Sequence, residues 1–419
     1  MSALLIGVNC IAIIGFAIGF QRSFVVDLQK FYWFAFFIKW LAALSLGLVY
    51  MYYYPGGDTW TYFEEAKKLS LLATSDFSQF RELFLASNDT STVTHFLYVH
   101  DRSFLFVKIV SLLNLVSGNN YWVTASYFSL VSFFSSWFLF IQLRRFAPDS
   151  TRAAALAIFL FPSILFWSSG LLKETLAMAA IYYLTAILIR LLYGAKVHLV
   201  QWALVFFSVW IGWSIKYYWL GIFIAVWFSS LFVFILTKNR KISQRKSGLG
   251  WLGLFLLLAA GASFAHPNFH LERVMEVIVS NHDLSVLQSK GNDYIHYYDL
   301  LPTVASMAVN SPWALFSALF RPMPFEATGL PSVLASMENL IIFVLAVSYL
   351  ASARKKSPPF VIPLFVFSVV LCVFLALSTP NFGTLSRYRV GFLPFMIFVF
   401  SFRNPLLNYL MNRLSFLTK

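Results

Sequence analysis

Asp58 lies in the stretch Tyr54-Pro-Gly-Gly-Asp-Thr-Trp-Thr-Tyr62, directly after an apolar, aromatic run over 31–54 that is long enough to cross a bilayer. The Gly pair before it lets the backbone turn sharply, so a carboxylate is set at a membrane surface. Such a group can accept or orient the proton of a sugar hydroxyl while the incoming donor loses a phosphate leaving group. Glu64 and Glu65 follow about two turns further on if a helix starts near Thr59, and they would support the face that carries Asp58. The plainer reading is that Asp58 caps that helix; the two roles are compatible.

A second constellation is Asn381-Phe-Gly-Thr-Leu-Ser-Arg387-Tyr-Arg389. Arg387 and Arg389 bracket Tyr388 after a Gly-Thr turn, and paired guanidiniums suit phosphate oxygens at headgroup level. Snorkelling to the interface is the alternative. Three shorter elements join them. Arg321-Pro-Met-Pro-Phe-Glu326 holds an Arg and a Glu in a Pro-stiffened turn, where they bind substrate or pair with each other. Trp167-Ser-Ser-Gly-Leu-Leu-Lys173-Glu174 puts Lys173 and Glu174 at the mouth of a hairpin, facing a phosphate or forming an ion pair within the protein. His266, His270, His282 and His296 share a polar segment with Asp283, Asp293 and Asp299, without the spacing of a metal motif. They read as surface or substrate-contacting groups; no metal is assigned and no cofactor is indicated.

The elements that must position these residues are membrane helices. Apolar residues make up 59% of the 419, charged residues 11%, and mean hydropathy is +0.74, which excludes a soluble globular protein. Runs of spanning length are expected at 3–20, 31–54, 120–142, 153–171, 173–193, 198–215, 217–237, 249–265, 331–352, 359–378 and 390–402. The more polar runs 103–118 and 301–320 read as interfacial or re-entrant helices. The expected fold is therefore an all-α polytopic bundle of about eleven spans (10–13) in a single integral-membrane domain over 1–419. Its two large outer loops cover about 55–119 and 266–330. The two cysteines, Cys10 and Cys372, sit in apolar segments and read as small buried hydrophobes.

With the N-terminus outside, one face collects Arg22, Lys30, Arg144, Arg145, the 238–246 cluster, 354–356, Arg403 and Arg413. The opposite face has more acids than bases, which fixes the orientation by the positive-inside rule. The net charge of +14 is thus a matter of membrane topology, not of nucleic acid. All the candidate chemistry falls on the outer face, and the position of Arg387 and Arg389 on that base-poor side favours a phosphate. No internal repeat or cleavable signal peptide is evident.

The chain resembles the integral-membrane glycosyltransferases of the C superfamily, through Gly57-Asp58 in an outer loop after an early span, the long second outer loop, and Arg387-Tyr388-Arg389 before the last span. It is also similar to bacterial envelope-polysaccharide membrane proteins with segments of the Trp167–Glu174, Arg321–Glu326 and Asn381–Arg389 types. The resemblance implies a polyprenyl-phosphate-linked sugar as donor, Asp58 as catalytic base, and Arg387 and Arg389 on the lipid phosphate. It implies the outer face of a bacterial cytoplasmic (inner) membrane. The sequence departs from the pattern in an extra N-terminal span and in Thr59, where many such enzymes have a second acid. It shows no large soluble C-terminal domain, which points to a lipid or polysaccharide acceptor. An O-antigen-type polymerase or ligase using lipid-diphosphate glycans is the alternative, followed by a transporter of the same lipids.

Overall fold

The computed structural model describes residues 3–24, 28–54, 56–86, 96–97, 101–238, 247–265, 269–289, 291, 293–351 and 357–413. His266 and most of the basic 238–246 and 354–356 clusters lie outside the described residues. Regular structure among the described residues is helical, with one isolated antiparallel bridge between Tyr294 and Asn381. In chain order the helices are α1 (Ala3–Phe24), α2 (Gln29–Tyr52), α3 (Asp58–Ser75), α4 (Phe77–Leu85), α5 (Asp101–Ser117) and α6 (Tyr121–Phe146). Next come α7 (Thr151–Ala155), α8 (Pro162–Trp167), α9 (Lys173–Leu192), α10 (Leu199–Lys238), α11 (Ser247–Ala265) and α12 (Leu271–Leu287). The last six are α13 (Val304–Phe320), α14 (Leu330–Leu350), α15 (Val361–Ser378), α16 (Phe382–Tyr388), α17 (Leu393–Ser401) and α18 (Pro405–Arg413).

Seven of these helices are long and apolar enough to cross a membrane: α1, α2, α6, α9, α10, α14 and α15. This is an integral membrane protein. The 40 residues of α10 would extend about 60 Å as one rod, twice a bilayer core of about 30 Å. Lys216 has non-helical φ −139°, ψ 64°, so the rod is broken between the expected runs 198–215 and 217–237.

Among the described residues, three of the eleven expected runs are not counted as such helices. The run 153–171 is interrupted: α7 passes into a π-helical turn over Leu156–Leu160, and Phe161 is extended before α8 begins at Pro162. The proline ring disfavours helical geometry at the residue before it, which accounts for the break at Phe161. The run 390–402 yields only the nine residues of α17, about 13 Å of helix. The run 249–265 lies within the 19 residues of α11, where the apolar helix counted among the described residues is Gly248–Gly261. The runs 103–118 and 301–320 form α5 and α13, the latter with Pro312 inside it.

The chain divides into two packing units. The first comprises Met1–Ile141, Leu165–Leu184 and Val200–Tyr217. Its core is aromatic. The Tyr32 hydroxyl donates to the Ala17 carbonyl at 2.6 Å, and its ring lies edge-on to Phe133 and Trp137 at 5.0 and 4.9 Å. In lipid, such close packing and interhelical hydrogen bonds hold helices together where burial from water does not. Trp40 Nε1 likewise donates to Ser126 Oγ at 2.8 Å.

The second unit comprises Gln142–Ile164, Thr185–Leu199 and Tyr218–Lys419. Here α17 is buried along its length and packs on α14, α15 and the π-helical turn. At one end, segments expected on the same face meet: Arg403 pairs with Asp149 at 2.9 Å, and Tyr193 stacks on Phe146 at 4.9 Å.

Candidate functional site

The candidate residues fall into two groups, one in each packing unit. In the first unit, Gly56 has φ +78°, and a Cβ on Gly57 would come within 2.4 Å of the Tyr50 ring. The Gly pair is thus required by the turn that starts α3. Gly57 is the N-cap and Asp58 the first helical residue, half-buried. The capping reading is therefore shifted by one residue: Asp58 complements the positive end of the α3 dipole from the first turn. Fully buried Thr59 donates to the Leu171 carbonyl at 2.9 Å, and its oxygen lies 2.7 Å from the Tyr121 hydroxyl. Trp60 stacks on the Tyr121 ring at 3.8 Å and donates from Nε1 to the Gly47 carbonyl. The residue after Asp58 thus ties the Asp58 turn to the Trp167–Glu174 hairpin.

Lys173 follows in that hairpin. Its Nζ lies 3.2 Å from Ser103 Oγ and 5.0 Å from the centre of the Tyr62 ring. The ion pair within the protein that was one expected reading of this hairpin forms at Glu174. Glu174, fully buried, meets Lys216 at 2.9 Å. Adjacent residues at a helix start point about 100° apart, so Lys173 and Glu174 face different neighbours. The Glu174–Lys216 pair sits at the break in α10. Glu64 is a correction: six positions from Asp58 it lies about 120° around α3, is exposed, and pairs with Lys67 at 3.7 Å. Glu65 is on the Asp58 face but buried, accepting from Lys68 at 2.5 Å and from the Leu97 N–H at 2.9 Å.

In the second unit, three segments far apart in sequence are knitted together. Ile295 N–H donates to the Pro380 carbonyl at 3.0 Å, and Phe382 N–H to the Asp293 carbonyl at 3.1 Å. Asn381 caps α16 by accepting from Thr384 N–H and donates to Ser289 Oγ at 2.8 Å. Asn339, buried in α14, joins the remaining turn: it donates to the Pro322 carbonyl at 3.0 Å and accepts from Arg389 Nη1 at 2.7 Å.

The arginines in this group differ. Arg389 is buried, with Nη2 donating to the Leu319 carbonyl at 3.0 Å. Its guanidinium is thus engaged by the fold, which is neither the snorkelling nor the open phosphate contact expected of it. Burial lowers its pKa, and the Glu338 carboxylate acts in the opposite sense. Arg387 is also buried, and its guanidinium lies 5.9 Å from the Tyr388 ring centre. Arg321 pairs with Glu326 as one expected reading had it, through Nε at 2.8 Å and Nη2 at 2.6 Å to a single carboxylate oxygen. The other oxygen accepts from Met323 N–H at 2.7 Å. Burial alone would raise the Glu326 pKa, but the Arg321 and Met323 hydrogen bonds and the Arg321 charge leave it below the usual carboxylate value.

Of the histidines, His270 precedes α12, His282 Nδ1 lies 2.9 Å from Asp283, and the His296 ring lies 4.2 Å from that of Tyr294. Among the described residues no group of three or more His, Cys, Asp or Glu is placed to hold a metal ion. Cys372 is buried and Cys10 partly so.

Three polar groups escaped the sequence reading. Lys39, fully buried within α2, donates to Ser168 Oγ at 2.9 Å. Glu338 in α14 accepts from Ser163 N–H at 2.8 Å, meeting the first turn of α8 after the break. A lone charge in an apolar run is a visible signal for both. Tyr297 carries a buried hydroxyl with no hydrogen-bond partner among the described residues, and nothing in the sequence separates it from the other tyrosines. No family model, curated protein or solved structure matches this chain.

Proposed function

We propose that this protein is a membrane glycosyltransferase that moves a sugar from a polyprenyl-phosphate donor to a lipid or polysaccharide acceptor. The reading places it as a single integral-membrane domain of about eleven spans, with α5 and α13 interfacial. Its active face is outward on a bacterial cytoplasmic membrane. In the reaction, an acceptor hydroxyl oxygen forms a bond to the anomeric carbon as that carbon's bond to the phosphate oxygen breaks. Asp58 takes the hydroxyl proton, and the polyprenyl phosphate leaves with the electron pair. Arg387, Arg321 and Lys173 are the cations this reading assigns to the developing phosphate charge.

The observation that carries this reading is the gathering of the 293–298, 321–326 and 379–389 segments, and with them Arg321, Arg387 and Arg389, within the second unit. That supports an anion site, because it brings three guanidiniums into one group, and Glu326 is already taken by Arg321 and Met323 N–H. The test is transfer of labelled sugar from a polyprenyl-phosphate sugar to a glycolipid acceptor by purified protein in vesicles. Labelled product that needs both substrates is expected; absence of transfer with every polyprenyl-phosphate sugar tried overturns the reading.

One observation favours transport instead. The broken α7–α8 segment, met by Glu338 from a candidate span, is the kind of interrupted helix that lines transporter sites. Uptake of the lipid-linked sugar across vesicles without transfer would select it.

A further inference from the structure

Arg321 is held on three sides. Glu326 takes Nε and Nη2, while the Trp313 and Phe382 ring centres lie 5.1 and 5.2 Å from the guanidinium carbon. A guanidinium has five N–H donors in a fixed fork, so the edge carrying Nη1 is left with no partner among the described residues. The side chain is partly open at 17% exposure. A guanidinium clamped in this way is already oriented before any ligand arrives, which lowers the entropy cost of binding.

Tyr297 adds a second donor. Its loop is pinned on both sides: Tyr298 N–H donates to Asn310 Oδ1 at 2.9 Å, Asn310 Nδ2 donates back to the Tyr298 carbonyl at 2.8 Å, and Trp313 Nε1 reaches the His296 carbonyl at 3.1 Å. The same Trp313 flanks Arg321. The Tyr297 hydroxyl is buried and lacks an acceptor among the described residues, an arrangement that costs about 1–3 kcal/mol unless something supplies one. Burial pushes its pKa well above the usual tyrosine value; the nearby Cys372 thiol acts in the same sense and the Arg321 charge opposes them. It is therefore a neutral O–H donor at physiological pH. Ser317 Oγ, on α13 with Trp313, is buried and has no partner among the described residues as well.

We infer that the free edge of Arg321 and the Tyr297 hydroxyl form a subsite for a tetrahedral phosphoryl group, with Glu326 as the residue that orients Arg321. The groups left over, the Arg321 Nη1 edge and the Tyr297 hydroxyl, are both donors, which suits phosphate oxygens and not a cation. The inference rests on the proposed phosphate-linked donor, but it assigns the recognition to Tyr297 and Arg321 and leaves Arg389 a structural part.

The test measures binding to the full-length protein in detergent of three probes: a polyprenyl monophosphate, the matching polyprenol and inorganic phosphate. Tyr297→Phe and Arg321→Lys should each weaken the monophosphate by about tenfold or more and leave the polyprenol unchanged. Inorganic phosphate that binds with the same sensitivity to both variants marks a site for free phosphate; phosphate binding only as part of the lipid marks a headgroup site. Equal monophosphate affinity in wild type and both variants overturns the subsite. So does a parallel loss for polyprenol, which would report packing. Because Tyr297→Phe keeps the ring, a fold defect in Arg321→Lys alone does not shield the inference. Failure of the transferase reading is separate: it shows as intact, variant-sensitive phosphate binding with no sugar transfer.

Discussion

The two candidate regions treat their charges in opposite ways. In the first unit an acid is answered by a base: Glu174 is buried against Lys216, Glu65 against Lys68, and Asp58 sits on the positive end of a helix. In the candidate region of the second unit the bases are held differently: Arg389 by the Asn339 amide and the Leu319 carbonyl, and Arg321 by the Glu326 carboxylate. Charge-on-charge pairing neutralises a region and leaves it little field. Guanidiniums held by carbonyls keep their charge and direct it at whatever enters. The first arrangement suits proton transfer from a hydroxyl, and the second suits an anion.

The largest expected effect tests the acid side. Asp58→Asn keeps the shape of the side chain but removes the base, so turnover should fall by ~10²–10⁴-fold with little change in the melting transition. Near-normal turnover of the purified variant would remove Asp58 from the chemistry and leave it a first-turn charge.

The next separates pairing from catalysis. Glu174→Gln strands the Lys216 ammonium in a buried site, which should cost about 3–5 kcal/mol in thermal or denaturant unfolding. Adding Lys216→Met should recover much of the loss, because replacing both partners removes the uncompensated charge. A double variant no more stable than the single one would show that Lys216 does not depend on Glu174.

Much of this contrast was readable in the sequence, and the parts that were not have physical reasons. Asp58, Arg321, Glu326 and Arg387 are charges next to Gly or Pro turns at the ends of apolar runs, so type and spacing point to them. The Arg321–Glu326 pair was legible because both residues sit in one Pro-stiffened turn. The partner of Glu174 was not, since Lys216 lies 42 positions away and meets it only through packing at the break in α10. Hydropathy also overcounted continuous helices: it registers the apolar run 153–171 but not the backbone constraint that Pro162 places on Phe161. Tyr297 was invisible because its interest lies in a partner missing among the described residues, which depends on the packing of its loop and not on residue type.

The third prediction divides the two neighbouring arginines. Arg389→Gln leaves the Leu319 carbonyl and Asn339 Oδ1 short of donors, at about 1–3 kcal/mol for each group left unpaired. Stability should fall first, before any specific loss of donor affinity. Arg387→Gln should do the reverse, weakening a polyprenyl-phosphate sugar with a smaller change in unfolding. If both variants lose stability alike and neither loses affinity, the second region is scaffold, and the contrast with the first is one of packing alone.

The smallest effect is a pH dependence that belongs to the second region. The Glu326 pKa is depressed in the folded protein by its hydrogen bonds from Arg321 and Met323 N–H, against the opposing pull of burial. At low pH the unfolded chain therefore binds more protons than the folded one, and stability rises with pH through that window. The contribution is complete above the ordinary carboxylate pKa of about 4.3 and is lost as pH falls through the lower folded value. Melting transitions of wild type and Glu326→Gln should keep a constant separation from neutral pH down to about 5, then converge as Glu326 protonates. The Glu174→Gln comparison run in parallel controls for general acid damage. A separation that stays constant to the lowest pH reached would mean that the Arg321 clamp does not depend on Glu326 charge. Arg321 would then be oriented by its two aromatic neighbours alone.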